Sequence, residues 1–375
     1  MCDADGELFI KPCTQAEVNF YESANQSHPD FAAIMPTYIG TLSLTDATDE
    51  AQIHAQIPGL VEHADIPAHL KEEIQSHLHL DERPAAAKKQ KGMDAAAWVP
   101  TRKLTTDRAV VLDNASFGFK RPNILDAKLG LRLWADNAPQ QKKDRFDKIA
   151  AETTHKNFGF RVAGMRVYQG SADKSELDPE GYRIFDKDWG RLTVNDDNLL
   201  ESLKNYIFNE AAGIDQELGK YVASRFAKDL RHIQEVLEKE ESRMYSASVL
   251  FVFEGDGDAL RSAIAEEKAF KAAAEEREAQ AEKDLKRGSI RTACSNPRVD
   301  SGIGLSEEEL MDDDAVLTLE MDDEDWDDEE ADLPEIHAIK LIDFAHAEFK
   351  PGQGPDENVL KGVRSLAKLF EDMSK

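Results

Sequence analysis

The chain has 375 residues, with 46 Lys and Arg against 74 Asp and Glu, a formal charge of −28. That length suits one large domain or two lobes; the acidity excludes a nucleic-acid binder, whose footprint would be basic; and no apolar run reaches the roughly 18 residues that span a bilayer. Three scattered cysteines (Cys2, Cys13, Cys294) make neither a disulfide framework nor a zinc site, and the acidic start Met1-Cys-Asp-Ala-Asp-Gly-Glu7 is no secretory signal, so a reducing compartment, cytosol or nucleus, is the default.

In chain order, Leu8-Phe-Ile-Lys11-Pro12 reads as a short strand, and Thr14 with Glu17 forms a capping box for a helix that follows. Met35 to Leu44 reads as a second strand. Residues 45–106 join an acidic, His-bearing stretch to the loop-like Arg83-Pro-Ala-Ala-Ala-Lys-Lys-Gln-Lys-Gly92, and pattern alone does not order them. Ala109 to Leu112 is a buried strand leading into Asp113-Asn114-Ala115, the expected junction of an N-lobe (1–113) and a C-lobe (114–375). Pro122 to Gly130 is a strand and Gln140 to Thr154 a helix. Phe160 to Tyr168 is again a strand. Residues 195–242 make two helices, the second with Leu218, Val222, Phe226, Leu230, Ile233 and Leu237 at helical spacing. Ser248 to Glu254 is a strand, and 259–288 form a solvated or flexible helix. A disordered insertion is expected over 288–334. Within it, 307–332 hold sixteen Asp and Glu and no Lys or Arg, more than half of the net charge. Ile336 to Phe344 returns to strand, and a helix from Asp356 closes the chain.

Two pieces of this layout carry chemistry. In Pro122-Asn-Ile-Leu-Asp126-Ala-Lys128-Leu-Gly130 alternate side chains share a face, so Leu125, Ala127 and Leu129 can be buried while Asp126 and Lys128 stand about 7 Å apart on the other side. Such a pair reads either as an ion pair within the sheet or as equipment for phosphoryl transfer, the carboxylate engaging a hydroxyl and the cation following a phosphate. The helix after it carries Lys142, Lys143, Arg145 and Lys148, with Lys156 just beyond. At 3.6 residues per turn Lys142 and Arg145 lie along one face, either solvated or offered to a polyanion. No Gly-x-x-x-x-Gly-Lys-Ser/Thr loop, third dinucleotide-binding glycine, EF-hand or His-Arg-Asp catalytic loop occurs.

The pattern Pro122-x-x-x-Asp126-x-Lys128-x-Gly130 resembles the signature of the inositol polyphosphate kinase family. Ser246-Ala-Ser248-Val-Leu250 resembles that family's Ser-Ser-Leu-Leu segment, with Val249 a departure, and Ile342-Asp343-Phe344-Ala-His346 matches its Ile-Asp-Phe motif. The stretch from Glu152 through Thr-Thr-His-Lys-Asn-Phe-Gly-Phe-Arg to Tyr168 is similar too. The likeness runs from about Leu8 to the end of the chain and is nearest to fungal multikinases.

The resemblance implies an α+β, two-lobed fold, protein-kinase-like and ATP-grasp-like, with inserted helices and an acidic loop, and with ATP between the lobes. It implies that Lys11 holds nucleotide phosphates, that Asp113 and Ala115 lie in the adenine-binding hinge, and that Asp126 contacts the ribose or the accepting hydroxyl. Lys128 would contact the transferred phosphate, Ser248 would lie near the metal and nucleotide phosphates, and Asp343 would bind Mg²⁺. Lys142, Arg145, Lys148 and His346 would meet the inositol phosphate. Glu17 as the partner of Lys11 is an expectation from its place on the first helix. At 151–155 the chain reads Ala-Glu-Thr-Thr-His, where a hexakisphosphate kinase would show Cys-x-x-Ser-Thr-Ser. A trisphosphate 3-kinase would carry an extension ahead of Lys11, which leaves a multikinase acting on trisphosphate and tetrakisphosphate. The other reading is an interaction protein whose acidic 307–332 segment binds basic nuclear partners. A monomer in nucleus and cytoplasm fits both.

Overall fold

The computed structural model describes residues 6–43, 108–292 and 333–375, together with Cys2, Thr106 and several positions between 59 and 71. Most of the expected variable segment and the acidic 307–332 run lie outside the described residues. The chain divides into two compact units, Met1–Arg261 with Glu335–Lys375, and Ser262–Pro334.

Within the first unit, β1 (Leu8–Pro12), β2 (Tyr38–Ser43) and β3 (Arg108–Asp113) form a three-stranded antiparallel sheet in the order β1-β3-β2. Its apolar positions alternate as strand geometry demands, so that Leu8, Ile10, Ile39, Leu42, Ala109 and Val111 close one small core. Between β1 and β2 run α1 (Gln15–Ser27) and a one-turn α2 (Pro29–Ala33). Thr14 caps α1 by accepting from the Glu17 backbone N–H. The reciprocal half of the expected capping box does not form, because the Glu17 carboxylate turns to Lys11 instead.

The larger sheet is antiparallel throughout. It joins β4 (Pro122–Leu129), β5 (Phe160–Tyr168), β6 (Tyr182–Phe185), β8 (Ser248–Glu254) and β9 (His337–Ile342) in the order β6-β5-β4-β8-β9. On β4 the alternation is strict: Asn123, Leu125, Ala127 and Leu129 are buried, while Ile124, Asp126 and Lys128 are half-buried on the opposite face. The apolar face continues across the register into Met165, Val162, Phe251 and Val249. It is covered by α6 (Leu199–Ile207), α7 (Gln216–Lys239) and α9 (Glu357–Met373): Tyr206 meets Phe253 at a centroid distance of 5.2 Å, and Phe226 and Phe370 each meet Phe251 at 5.1 Å. Each such aromatic contributes roughly 1.5–3 kcal/mol by leaving water.

Between β4 and β5 lie α3 (Gln140–Glu152) and the single turn α4 (His155–Phe158). The helix expected to reach Thr154 stops early for a local reason. Thr153 is extended, and its hydroxyl donates to the Ile149 carbonyl at 2.8 Å, in competition with the helix's own ladder. Gly159, at φ 72°, then closes α4 in the left-handed region and admits α9: a side chain at Gly362 would put its Cβ 2.5 Å from the Gly159 carbonyl oxygen. The short α5 (Lys187–Leu192) packs on β5, and β7 (Ser242–Met244) pairs with β10 (Ala347–Phe349). Helix α8 (Gly257–Thr292) belongs for most of its length to the second unit, and it overlaps the first residues of the expected insertion at 288–334.

Candidate active site

The polar face of β4 gathers the predicted residues. The antiparallel register sets Ser248 across from Lys128, and Ile342 across from Ser248, so Asp343 follows the end of β9, one strand removed from Asp126 across β8. Asp343 is one of three non-glycine residues with positive φ among the described residues, at 70°. Aspartate tolerates that region better than most residues, and it persists where neighbours over-determine the backbone. Here they do. Phe344 is fully buried, stacked on Phe20 at 4.8 Å and edge-on to Tyr21 at 5.3 Å, so α1 fixes the turn.

Two lysines converge on Asp343. Lys11 Nζ donates to Oδ1 at 2.8 Å and to Glu17 Oε1 at 2.7 Å. Lys128 Nζ donates to Oδ2 at 3.3 Å and to the Ser246 carbonyl at 2.9 Å. Burial would raise the Asp343 pKa, but Lys11 and Lys128 outweigh it and hold the carboxyl well below the usual range. Burial likewise opposes the charge of Lys11, and Asp343 with Glu17 overcomes it, so the ammonium is retained far above the ordinary lysine value.

Asp126 has the opposite electrostatics. Its Oδ1 is shut off from solvent and makes no well-formed hydrogen bond, and the equally buried Ser248 hydroxyl beside it is close enough to oppose the rise in its pKa. Burial raises the Asp126 pKa first, Lys128 opposes it, and the charge of Asp343 adds to the rise. A carboxylate with a raised pKa next to one with a depressed pKa is how one site separates a proton acceptor from a cation ligand.

The sequence reading missed two residues of this cluster. Arg161 lies across from Lys128 on β5, with a buried, unpartnered Nε; burial lowers its pKa, and the nearby Asp126 carboxylate counters that. An arginine near the start of a mostly apolar strand was the available signal. His155 on α4 is fully buried with neither ring nitrogen in a well-formed hydrogen bond, and burial, then Arg161 and Lys128, push its pKa down to about 3 against the opposing pull of the Gly130 backbone. It is therefore a neutral ring beside two cations.

The substrate-facing expectations divide. Lys142 on α3 reaches His346, with Nζ 3.3 Å from Nε2, and burial followed by the Lys142 charge lowers the His346 pKa. Arg145 is exposed beside Phe146, and Lys148, also exposed, faces Glu152 on its own helix at 3.7 Å. Lys156 is exposed. At the expected hinge, the Asp113 carboxylate is committed to Thr37, accepting from its N–H at 2.7 Å and its hydroxyl at 3.2 Å, and burial raises its pKa against the pull of Lys340. Asn114 donates to the Gly6 carbonyl at 2.6 Å, and Ala115 is half-buried in the turn that follows.

Among the described residues no group of three or more His, Cys, Asp or Glu side chains could hold a metal ion. Magnesium in nucleotide sites takes one or two carboxylates and completes its shell with phosphate oxygens and water. Asp343, an ionised carboxylate near the buried Asp126 oxygen, fits such an ion.

With this geometry in view, the comparisons with known proteins are specific. The inositol polyphosphate kinase family model matches residues 109–371. The inositol polyphosphate multikinase of Saccharomyces cerevisiae is 27% identical over 389 residues, covering 99% of this chain and 94% of that protein. The multikinase of Schizosaccharomyces pombe is 23% identical over 67% of this chain and 73% of its own length. Human inositol hexakisphosphate kinase 1 is 27% identical over 70% and 52%. Among solved structures, the S. cerevisiae inositol phosphate multikinase in complex with ADP and Mn²⁺ is similar in fold, with a TM-score of 0.54, 23% identity and coverage of 99% of this chain and 100% of that one. Three ordered motifs, their convergence on Asp343 and a family match over more than half its length place this chain in the inositol polyphosphate kinase family.

Proposed function

We propose that the chain transfers the γ-phosphate of ATP to free hydroxyls of an inositol trisphosphate, and then of the resulting tetrakisphosphate, as a multikinase. The observation that carries this reading is the convergence of Lys11 and Lys128 on Asp343, next to a buried Asp126 oxygen. The names of the two yeast relatives and the ADP and Mn²⁺ held by one of them support it.

In this reading ATP lies between an N-lobe (1–113) and a C-lobe (114–375). The adenine meets the backbone around Asp113 and Ala115, since the Asp113 side chain is spent on Thr37. Lys11 and Lys128 align the phosphates by charge. Asp126 accepts the proton of the attacking hydroxyl, a task its raised pKa suits, and the buried Ser248 hydroxyl offers a hydrogen bond to the phosphates. Mg²⁺ at Asp343, completed by nucleotide phosphates and water, would neutralise charge on the transferred group. Arg161, Lys142 and His346 meet the substrate's other phosphates, with Arg145 and Lys148 at the exposed rim.

A second role is favoured by one observation, the sixteen acids of 307–332. That run would bind basic nuclear proteins and make the chain a scaffold as well as an enzyme, a monomer shared between nucleus and cytoplasm. The experiment is a pair of variants. Asp126→Ala abolishes product formation and leaves partner binding, whereas deleting 307–332 removes partner binding and leaves turnover. Partner binding without any product from the folded wild-type chain would put the scaffold reading first, and loss of turnover on deleting 307–332 would contradict the separation of the two roles.

A further inference from the structure

Arg132 stands four residues past Lys128, where β4 gives way to the loop before α3. Its backbone is clamped by Asn358 of α9: the Arg132 N–H donates to Asn358 Oδ1 at 2.7 Å, and Asn358 Nδ2 donates to the Arg132 carbonyl at 3.0 Å. The guanidinium is held on its faces by two rings, with Cζ 3.8 Å from the Trp134 centroid and 4.8 Å from that of Tyr245. Its Nε donates to the Trp134 carbonyl at 3.0 Å. What remains is one edge of the fork, and that edge is closed by Asp136, which accepts from Nη2.

Asp136 is a poor permanent partner. Its side chain is 86% exposed, and exposed ion pairs are weak and readily exchanged. Yet its surroundings are strongly cationic. Arg132 first, then Lys143 and Lys350, hold its carboxyl below the usual carboxylate range, and Lys143 Nζ also donates to the Asp136 main-chain oxygen at 2.8 Å. A field that favours a carboxylate favours a phosphate dianion more, and a guanidinium fork takes phosphate through paired charge-assisted hydrogen bonds. The place is continuous with the proposed substrate side: Tyr245, whose ring covers Arg132, donates its N–H to the carbonyl of His346, and the His346 ring meets Lys142.

We propose that Arg132, with Lys143, forms a phosphate subsite whose resident occupant is the Asp136 carboxylate, and that exchange of this carboxylate for a substrate phosphate sets the preference between inositol phosphates of different charge. The inference rests on the kinase reading and deepens it. The ligand is the additional phosphate of an inositol tetrakisphosphate, which the trisphosphate lacks. Asp136 acts as a specificity-determining residue that weakens the hold on the more highly phosphorylated ring.

The test is calorimetric binding of inositol 1,4,5-trisphosphate and inositol 1,3,4,5-tetrakisphosphate to the full chain. The variants are Asp136→Asn, Arg132→Lys and their combination. Asp144→Asn serves as a control that removes the same charge from α3, where Asp144 accepts from Gln140 on its own helix. Asp136→Asn tightens the tetrakisphosphate about two- to fivefold, the range an exposed ion pair allows, and the trisphosphate by less than half that factor. The gain shrinks when Arg132 is already lysine, since the two residues are coupled. Equal tightening of both ligands by Asp136→Asn and Asp144→Asn would reduce the effect to net charge and overturn the subsite. No change in the Asp136 variant, with wild-type binding intact, would overturn it as well. A wild-type chain that binds neither ligand would instead bring down the kinase reading, and this inference with it.

Discussion

His155 is the side chain on which acid should act most directly. Its ring is fully buried, neither nitrogen makes a well-formed hydrogen bond, and its folded pKa of about 3 compares with 6.5 for the free side chain. Below pH 6.5 the unfolded chain therefore binds a proton that the folded chain refuses, so this group's contribution to stability is complete above that pH and is lost as pH falls towards 3. At about 1.4 kcal/mol per pH unit, the loss between pH 7 and pH 5 is about 2 kcal/mol. His155→Leu removes the titration and replaces two nitrogens that lack well-formed hydrogen bonds with apolar surface, which costs little at neutral pH. Urea unfolding of both forms at the two pH values measures the difference. The gap between wild type and variant should move by about 2 kcal/mol in favour of the variant at pH 5. Parallel losses in the two forms would mean that His155 titrates normally, and would refute its placement as a neutral ring beside Arg161 and Lys128.

Further outcomes follow from the site and its supports. Asp126→Asn lowers kcat by about 10²–10⁴, the range of a lost general base, and the acid limb of the wild-type kcat/KM profile falls above pH 3.8, because burial raises the Asp126 pKa from that value. A limb at or below 3.8 would remove Asp126 from that role. Lys142→Ala raises KM for the inositol phosphate about tenfold while leaving KM for ATP in place, as loss of one charge-assisted contact predicts. Exposed Arg145→Ala changes it about twofold or less, and equal effects of the two would contradict the geometry around His346. Gly190→Ala places a Cβ 2.2 Å from the Val162 carbonyl oxygen, and urea unfolding should show a loss of about 1–3 kcal/mol. Helix propensity alone would give a gain of about 1 kcal/mol, so the sign decides.

What the sequence made legible was whatever local periodicity encodes. The alternation through Asp126 and Lys128 predicted which face of β4 is buried, and the apolar run ending at Asp343 predicted the strand that delivers it. Convergence was harder to read, since Lys11 and Asp343 are 332 residues apart and meet only through the register of separate sheets. Arg161 escaped because it sits in a strand legible only as mostly apolar, and His155 because its polar neighbours Thr153, Thr154 and Lys156 gave no hint of full burial. Glu17 could serve the helix cap or Lys11, and the ammonium won. The pairing of β7 with β10 joins three-residue strands about a hundred positions apart, too short for any pattern and too distant for any turn signal.

The most direct test of the account is to incubate the purified chain with Mg²⁺-ATP and inositol 1,4,5-trisphosphate and resolve the products by anion exchange. Successive tetrakisphosphate and pentakisphosphate peaks, both absent with Asp126→Ala, are the predicted result. A folded wild-type chain that forms no product, or an Asp126→Ala variant that forms both at the wild-type rate, would contradict it.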